Sequence, residues 1–189
     1  MKQVGIVNMY GNNYQCRYLI NAIISLGYKP LIIDYSQTQV LNYIKSSPIQ
    51  CWIFSGAAHT VFTEESPQIP LQVANLKTKK ILLICYSMES LLYQLGAPIT
   101  TRNENKKEIF NLLISQANPI FNNIKNPMVL RRNHIRYIAE NHKLKGVALM
   151  ASYEGEQMIA AYKNATMMQF HPEKTPDGKK LLLNWLQGQ

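Results

Sequence analysis

Three side chains in the sequence could together perform nucleophilic chemistry on a carbonyl carbon. Cys85 follows the apolar run 80–84 and precedes a helical pattern that ends at Gly96, which indicates a thiol on a strand-to-helix elbow. His171 and Glu173 follow a second strand-like stretch much later in the chain. A cysteine, a histidine and a carboxylate can act as nucleophile, general base and orienting group if the fold brings them together. The sequence therefore predicts a Cys-His-Glu catalytic triad.

Backbone N–H groups near Cys85 could stabilise the oxyanion that its attack creates. A thiol at the start of a helix lies at the positive end of the peptide dipoles, which favours the thiolate form. The same elbow directs the N–H of Tyr86 towards the reacting carbonyl oxygen. We predict a second donor at the turn 55–57, from the N–H of Ala57. Each donor of this kind typically contributes about 3 kcal/mol in the transition state.

The spacing of His171 and Glu173 has a physical reason. Side chains two positions apart in an extended segment point to the same side, and Pro172 restricts the backbone between them. We therefore expect Glu173 to hold one imidazole nitrogen while the other faces Cys85. A core cysteine or a histidine in a capped loop would be ordinary by itself. It is their combination, in this order, that favours catalysis.

Short apolar strands alternate with helical patterns through the first half of the chain. The predicted strands are 4–8, 31–34, 51–54 and 80–84, and the predicted helices are 14–26, 38–44 and one that ends near residue 76. Apolar strands separated by helices indicate an α/β fold with an open, mainly parallel twisted sheet flanked by helices. Sites in such folds form at the carboxyl ends of the strands, where Cys85 is placed. Tyr10 and Trp52 are interpreted as packing residues.

Between Pro98 and about Ala165 the pattern changes to shorter runs separated by turn signals, namely 111–115, 128–131, 147–152 and 158–162. These runs predict a small antiparallel addition at one edge of the sheet. Residues 167–170 are expected to return to the main sheet. A last helix through Trp185 is predicted from a typical N-cap, first residue and first-turn acid, which are Thr175, Pro176 and Asp177.

The composition is typical of a globular protein. With 189 residues, 47% hydrophobic and 16% charged, the chain suits one domain over residues 1–189. It shows no signal-peptide pattern and no apolar run of membrane-spanning length, so we expect a cytoplasmic protein without a membrane partner. The cysteines are odd in number and widely spaced, and the four histidines have few acidic neighbours. We therefore predict no disulfide framework, no metal site and no cofactor.

The formal net charge of +9 could serve a polyanion or an acidic protein partner. Most lysines are scattered, however, and suit the solvated ends of secondary-structure elements. The compact basic cluster is the segment Arg131 to Arg136. Because stacking aromatic residues are not interleaved with it, we do not predict a nucleic-acid partner.

These residues resemble the class I (triad-type) glutamine amidotransferases, and within that family the glutaminase portion of GMP synthetases. The similarity covers nearly the whole chain. It rests on six segments, namely Gly11-Asn12-Asn13-Tyr14, Phe54-Ser55-Gly56-Ala57, Thr63 to Pro67, Cys85-Tyr86-Ser87-Met88-Glu89, Gln94-Leu95-Gly96 and Gln169-Phe170-His171-Pro172-Glu173. The last segment is the most specific of the six.

The resemblance implies a flavodoxin-like fold and glutaminase chemistry. Cys85 would attack the side-chain amide of glutamine and release ammonia, and water would then hydrolyse the glutamyl thioester. His171 would move the protons, and Glu173 would orient the imidazole. The residues implied to bind the substrate are Gly56, Glu89 and His134.

The resemblance also implies a partner. Stand-alone glutaminase subunits deliver ammonia to a separate synthetase, for which a GMP synthetase is the candidate here. The basic segment Arg131 to Arg136 is then the expected docking surface for the synthetase.

Several positions depart from the family pattern. Leu83 and Ser87 stand where the family has glycines on either side of the nucleophile, and Ala57 replaces a glycine of the oxyanion turn. Glu89 replaces a glutamine that contributes to the glutamine pocket. Arg136 stands where the family has an acid two residues after the histidine.

Three functions fit this sequence. The first is an active glutaminase subunit, favoured by the intact Cys85, His171 and Glu173. The second is a related hydrolase or transferase that acts on another amide or glutamyl compound, which would explain the altered pocket. The third is a binding or regulatory relative that keeps the fold without turnover.

Overall fold

Residues 1–10, 13–36 and 39–188 are described in the computed structural model of the chain. They form nine strands, which in chain order are β1 (Gln3–Asn8), β2 (Lys29–Asp34), β3 (Cys51–Phe54), β4 (Lys80–Ile84), β5 (Thr100–Leu112), β6 (Met128–Tyr137), β7 (Val147–Tyr153), β8 (Glu156–Tyr162) and β9 (Ala165–Met168). The α-helices of these residues are α1 (Asn13–Ser25), α2 (Val40–Ser46), α3 (Tyr86–Gln94) and α4 (Pro176–Gln187). Three residues used in the sequence predictions lie outside the described ranges, namely Gly11, Asn12 and Thr38.

Seven strands form the main sheet, in the order β2-β1-β3-β4-β9-β8-β7. β1 pairs in parallel with β2 and β3, and β4 pairs in parallel with β3 and β9. Strands β3 and β4 are buried along nearly their whole length, as expected where both faces of a parallel sheet are covered. The predicted α/β class with a mainly parallel sheet is confirmed, and so is the return of β9 to that sheet.

The antiparallel part of the fold differs from the prediction. β8 pairs antiparallel with β7 and β9, so these strands form the predicted edge addition. β5 and β6 form a separate two-stranded antiparallel sheet, so the prediction that the run 128–131 extends the main sheet is wrong. Alternate residues of β6 are buried, and β6 contacts α4. Because this face already packs on other elements, the strand pair is stable without joining the sheet edge.

Helix boundaries follow local signals in most cases. α1 is followed by Gly27, whose φ of 84° favours glycine. At the start of α4 the Thr175 hydroxyl accepts a 3.1 Å hydrogen bond from the Gly178 N–H, which confirms the predicted cap. The predicted helix ending near residue 76 is a short 3₁₀ helix, Leu71–Asn75, because Pro70 leaves room for little more than one turn.

The core lies on both faces of the main sheet. Leu82 and Ile84 of β4 belong to one cluster of buried side chains, whereas Ile81 and Leu83 belong to the other. This alternation is what a strand covered on both sides requires. None of the described helices has the length and apolar character needed to cross a membrane.

Candidate active site

A cavity of about 390 Å³ opens beside the carboxyl ends of the central strands. The residues that border it include one from the segment after each of four neighbouring strands, namely Tyr10, Ala57, Cys85 and His171. Residues 133–136 of β6 border it as well. The parallel sheet therefore brings together side chains that are far apart in the chain, at the edge where α/β folds usually hold their sites.

Cys85 connects β4 to α3, as predicted, and its backbone is in an unusual conformation. Its φ is 51° and its ψ is −112°, a region that residues other than glycine seldom adopt. The Cys85 N–H donates to the Met168 carbonyl at 2.7 Å, and the Cys85 carbonyl accepts from the Glu89 N–H at 3.1 Å. These bonds hold the thiol at the elbow, in a strained turn of the kind found around nucleophiles.

The two residues that replace glycines beside the elbow are accommodated in different ways. Leu83 is fully buried in the core, paired across the sheet with Phe54 and Met167. The Ser87 hydroxyl donates a 2.6 Å hydrogen bond to the carbonyl of Ser55. Leucine therefore contributes packing, and serine joins the first turn of α3 to the end of β3.

His171 and Glu173 form the predicted pair. His171 Nδ1 lies 2.9 Å from Glu173 Oε1, and both residues are buried. Burial acts against the charged imidazole, but Glu173 and Cys85 together raise the pKa of His171 to about 10. Burial likewise opposes ionisation of Glu173, and His171 outweighs it and lowers the pKa of that carboxyl group.

The backbone that forms this pair is not the extended segment predicted from the sequence. His171 itself is extended, but Pro172–Lys174 forms a single 3₁₀ turn. The N–H of His171 also donates to the carbonyl of Arg131 in β6 at 2.9 Å. The carboxylate therefore reaches the imidazole through a tight turn, which Pro172 favours at its first position.

The turn after β3 lies against the candidate nucleophile. A Cβ atom at Gly56 would lie 3.1 Å from His171 Cε1, 3.2 Å from the Tyr10 hydroxyl and 3.4 Å from Cys85 Cβ. Gly56 therefore lies among these groups, and Ala57, the predicted oxyanion donor, borders the cavity with Tyr86. As the first residue of α3, Tyr86 has an N–H without an intrahelical partner.

Glu89 and Arg136 form an ion pair at the cavity. Glu89 Oε2 accepts from Arg136 Nε at 3.2 Å, and Oε1 accepts from Gln169 Nε2 at 2.8 Å. Arg136 Nη2 also donates to the carbonyl of His59. Burial raises the pKa of Glu89, and the hydrogen bond from Gln169 and the charge of Arg136 oppose that rise.

His134 borders the cavity and belongs to a second buried network. Its Nε2 lies 2.8 Å from Glu156 Oε2, whose carboxylate also pairs with Arg102 and Arg132. Burial and these two guanidinium groups lower the pKa of His134 to about 3. The imidazole is therefore neutral near pH 7, with Nε2–H as the donor to Glu156.

The structure contradicts the prediction of a basic docking surface at 131–136. Arg132 is fully buried and pairs with Glu108, Glu154 and Glu156. Arg136 is held in the cavity by Glu89. Along a strand successive side chains point to opposite faces, so residues that cluster in the sequence are separated in the fold.

Some residues at the site carried no separate signal in the sequence. Tyr10, Asn133 and Lys174 border the cavity, and the carbonyl of Asn133 lies 3.9 Å from Cys85 Sγ. Burial, followed by the negative charges of Cys85 and Glu173, raises the pKa of Tyr10. Tyr10 packs against the core, as expected, and it also borders the cavity. Its position directly after a parallel strand was the signal that could have identified it.

Nearly the whole chain matches the model of one protein family. Residues 10–187 match the family model described as "Glutamine amidotransferase class-I". A GMP synthase [glutamine-hydrolyzing] of Ruminiclostridium cellulolyticum is 28% identical over 158 residues, which cover 82% of this chain and 30% of that protein. One of Clostridium perfringens is 26% identical over 192 residues, covering 98% of this chain and 36% of that protein. The chain thus spans about a third of the length of these relatives.

Solved structures share the fold. A Thermoplasma acidophilum protein described as a subunit of a GMP synthase has a TM-score of 0.76 at 17% identity, with 99% of this chain and 93% of that chain covered. A chain of PurLQS from Thermotoga maritima has a TM-score of 0.74 at 16% identity, with 99% of both chains covered. At this level of identity the likeness concerns the fold.

Proposed function

Because the chain belongs to the class I glutamine amidotransferase family, we propose that it hydrolyses a side-chain carboxamide through a thioester on Cys85, the reaction of a glutaminase. One observation carries the proposal. The His171–Glu173 hydrogen bond of 2.9 Å lies beside the cavity that Cys85 borders, so base and orienting acid are already paired at the candidate nucleophile. We propose residues 1–189 as one amidotransferase domain.

The proposed reaction has two halves. Because the pKa of His171 is raised, its imidazole already holds the proton of the Cys85 thiol before the attack; Cys85 Sγ then attacks the amide carbon, and the imidazolium protonates the departing nitrogen, which leaves as ammonia. Water next attacks the thioester, and His171 takes the water proton as the thiolate of Cys85 leaves, which restores the starting protonation of the pair. Glu173 accepts a hydrogen bond from Nδ1–H of His171 throughout, so that Nε2 is the ring nitrogen that exchanges protons at Cys85. The products are a carboxylate and ammonia.

Two backbone donors are proposed to stabilise the oxyanion of each half-reaction. They are the N–H groups of Ala57 and Tyr86, both at the cavity. The support is their position in the turn after β3 and in the first turn of α3, where both residues border the cavity together with Cys85. Gly56, Glu89 and His134 are proposed substrate contacts, and a Cβ atom added to Gly56 would lie 3.4 Å from Cys85 Cβ.

Ammonia would be used by a synthetase. The relatives that this chain matches are GMP synthases, and the match covers about a third of each. We propose that the partner is a synthetase, with a GMP synthetase as the candidate.

Labelling and turnover test the catalytic proposal together. The chain is incubated with a diazoketone analogue of glutamine and its intact mass is recorded, while ammonia release from glutamine is followed with and without a GMP synthetase. We expect a single adduct, lost in Cys85→Ala and kept in Cys51→Ala, which removes a free cysteine away from the cavity. An unlabelled Cys85, with no ammonia release from glutamine in either condition, would exclude glutamine as the amide, and the absence of ammonia release from every carboxamide tested would contradict the proposal.

A second candidate function is hydrolysis or transfer with another amide or glutamyl compound. The Glu89–Arg136 ion pair favours it, since these residues replace an uncharged residue and an acid of the family pattern. Labelling of Cys85 by a general thiol reagent at neutral pH, without labelling by the glutamine analogue, would support this candidate.

A further inference from the structure

The charged side chains at the cavity include more cations than carboxylates. Among the described residues that border it, Glu89 is the one carboxylate, whereas Arg136 and Lys174 are both cationic. Glutamine as a free amino acid brings one carboxylate and one ammonium group. The cavity therefore offers two cations to the carboxylate of glutamine. For the ammonium group of glutamine, Glu89 is the one carboxylate among these residues that could bind it.

Glu89 is poorly placed to serve an ammonium group. Its side chain is only 2% exposed, and each of its oxygens already accepts a hydrogen bond, one from Gln169 and one from Arg136. The guanidinium that neutralises it would stand next to any ammonium that approached. Placing like charges together at a partly desolvated site costs more than the same contact in water.

Arg136, in contrast, is available to an anion. Its side chain is 18% exposed, with Nε committed to Glu89 and Nη2 to the carbonyl of His59. Within the described part of the chain, Nη1 has no hydrogen-bond partner. A guanidinium held at two of its nitrogens is preorganised, so a carboxylate can bind to it without a large loss of side-chain freedom.

From this arrangement we infer that the cavity selects a carboxamide that carries a carboxylate but no free ammonium group. The substrate class is the ω-amide of a dicarboxylic acid whose α-nitrogen is absent or acylated, with its carboxylate on Arg136. This rests on the proposed function, because the same thioester on Cys85 would form and be hydrolysed. The carbon–nitrogen bond of the amide breaks, water supplies the hydroxyl group, and the products are ammonia and the dicarboxylate.

The two departures from the family pattern are consistent with one change of preference. Separately, an acid at position 89 or a base at position 136 would place an unpaired charge in the pocket. Together they pair at 3.2 Å. The pair thus removes acidic charge from the pocket wall and adds a guanidinium, which changes selectivity by disfavouring one substrate as well as by favouring another.

Binding to Cys85→Ala tests the inference without turnover. Isothermal titration compares L-glutamine with glutaramate, its analogue without the amino group, and with N-acetyl-L-glutamine, whose nitrogen is uncharged. We expect at least one analogue to bind about tenfold or more tightly than glutamine. Glutamine binding as tightly as both analogues, or no binding by any of the three, would overturn the inference.

A paired replacement tests the assignment to these residues. In Cys85→Ala, the added changes Glu89→Gln and Arg136→Asp restore the family pattern, and the affinity ratio is expected to move towards glutamine by about tenfold or more. Lys107→Gln removes an exposed strand cation outside the cavity and should leave the ratio unchanged. A ratio unaffected by the paired replacement in a folded variant would refute the role of the ion pair.

Ammonia release by the unmodified chain separates the two proposals. If glutaramate or N-acetylglutamine binds preferentially but neither they nor glutamine release ammonia, the proposed hydrolysis fails and the inference on selectivity stands. If glutamine is the best bound and best hydrolysed amide, the hydrolysis stands and the inference on selectivity is refuted.

Discussion

The hydroxyl of Ser87 donates a 2.6 Å hydrogen bond to the carbonyl oxygen of Ser55, and both residues are buried. Ser87 lies one residue inside α3, and Ser55 is the first residue after β3. The bond therefore ties the first turn of α3, directly after Cys85, to the turn that carries Gly56. A serine in place of the family's glycine adds a connection between the two halves of the candidate site.

Replacing Ser87 with alanine should destabilise the protein. The carbonyl of Ser55 loses its buried partner, which costs about 1–2 kcal/mol and lowers Tm by about 2–8 °C in a chain of this size. Thermal melting followed by circular dichroism measures the change. Ser46→Ala is the matched control, since the Ser46 hydroxyl bonds to backbone carbonyls on an exposed helix, and its Tm should stay within about 1 °C. Equal losses in the two variants would contradict the role of the Ser55 contact.

Gly56 is predicted to tolerate no side chain at the site. In Gly56→Ala, the new methyl group would lie 3.1 Å from His171 Cε1 and 3.2 Å from the Tyr10 hydroxyl, so the imidazole must shift. A misplaced base or oxyanion donor should lower kcat/KM for the best amide substrate by about 10²-fold or more. Ala57→Gly, one residue later, should retain activity. Full activity of Gly56→Ala would show that the base does not act from its position in this structure.

The buried His134 should make the protein sensitive to acid. Its pKa is lowered from 6.5 to about 3, so between these values the unfolded chain binds a proton that the folded chain does not. The free energy of unfolding should therefore fall as the pH drops from 6.5 to 5, with a slope that approaches about 1.4 kcal/mol per pH unit from this group. His171, whose pKa is raised instead, opposes this change near pH 6.5, because its unfolded form is still gaining the proton that the folded form already holds, and this contribution fades as the pH approaches 5.

Urea denaturation of His134→Gln at these pH values checks this prediction. Glutamine can still donate to Glu156 but does not titrate, so the acid-induced loss should become smaller. His142→Gln, at a half-buried histidine outside the cavity, should leave the slope unchanged. A slope unchanged in His134→Gln would mean that other groups cause the acid sensitivity.

Arg132 is predicted to be required for stability. It is fully buried, with Nη1 3.1 Å from Glu156 Oε1, and it also pairs with Glu108 and Glu154. Arg132→Met keeps much of the side-chain volume but leaves buried negative charge less well compensated, which should cost about 3–5 kcal/mol. Chemical denaturation measures the loss. Lys107→Gln, on an exposed position of the neighbouring strand, should change stability by less than about 0.5 kcal/mol. A small effect of Arg132→Met would show that Arg102 alone neutralises Glu156.

Much of the fold could be predicted from the sequence because it depends on local sequence patterns. The alternation of apolar strands with helices predicted the parallel sheet, and the start of α4 followed from Thr175 and Pro176. The elbow at Cys85 could be placed from the apolar run before it and the helical pattern after it. Each of these depends on neighbours within a few residues, where backbone preferences and burial act together.

Other features could not be read because they depend on partners distant in the chain. Strands β5 and β6 form their own sheet and do not extend the edge of the main sheet, because β6 packs against elements such as α4 that are distant in the chain. The segment 131–136 was interpreted as a surface, whereas strand alternation and Glu108, Glu154 and Glu156 bury Arg132. The turn at Pro172 also differed from the extended backbone expected.

The sequence alone determined the family, the order of the α/β elements and the presence of a cysteine followed by a histidine and a carboxylate. Only the tertiary structure decided that the unusual Glu89 and Arg136 neutralise one another at the cavity. Patterns along the chain report local conformation and the side of an element that is buried. Whether two charges 47 positions apart meet depends on how β6 lies across the sheet, because electrostatic energy depends on distance in space and on burial.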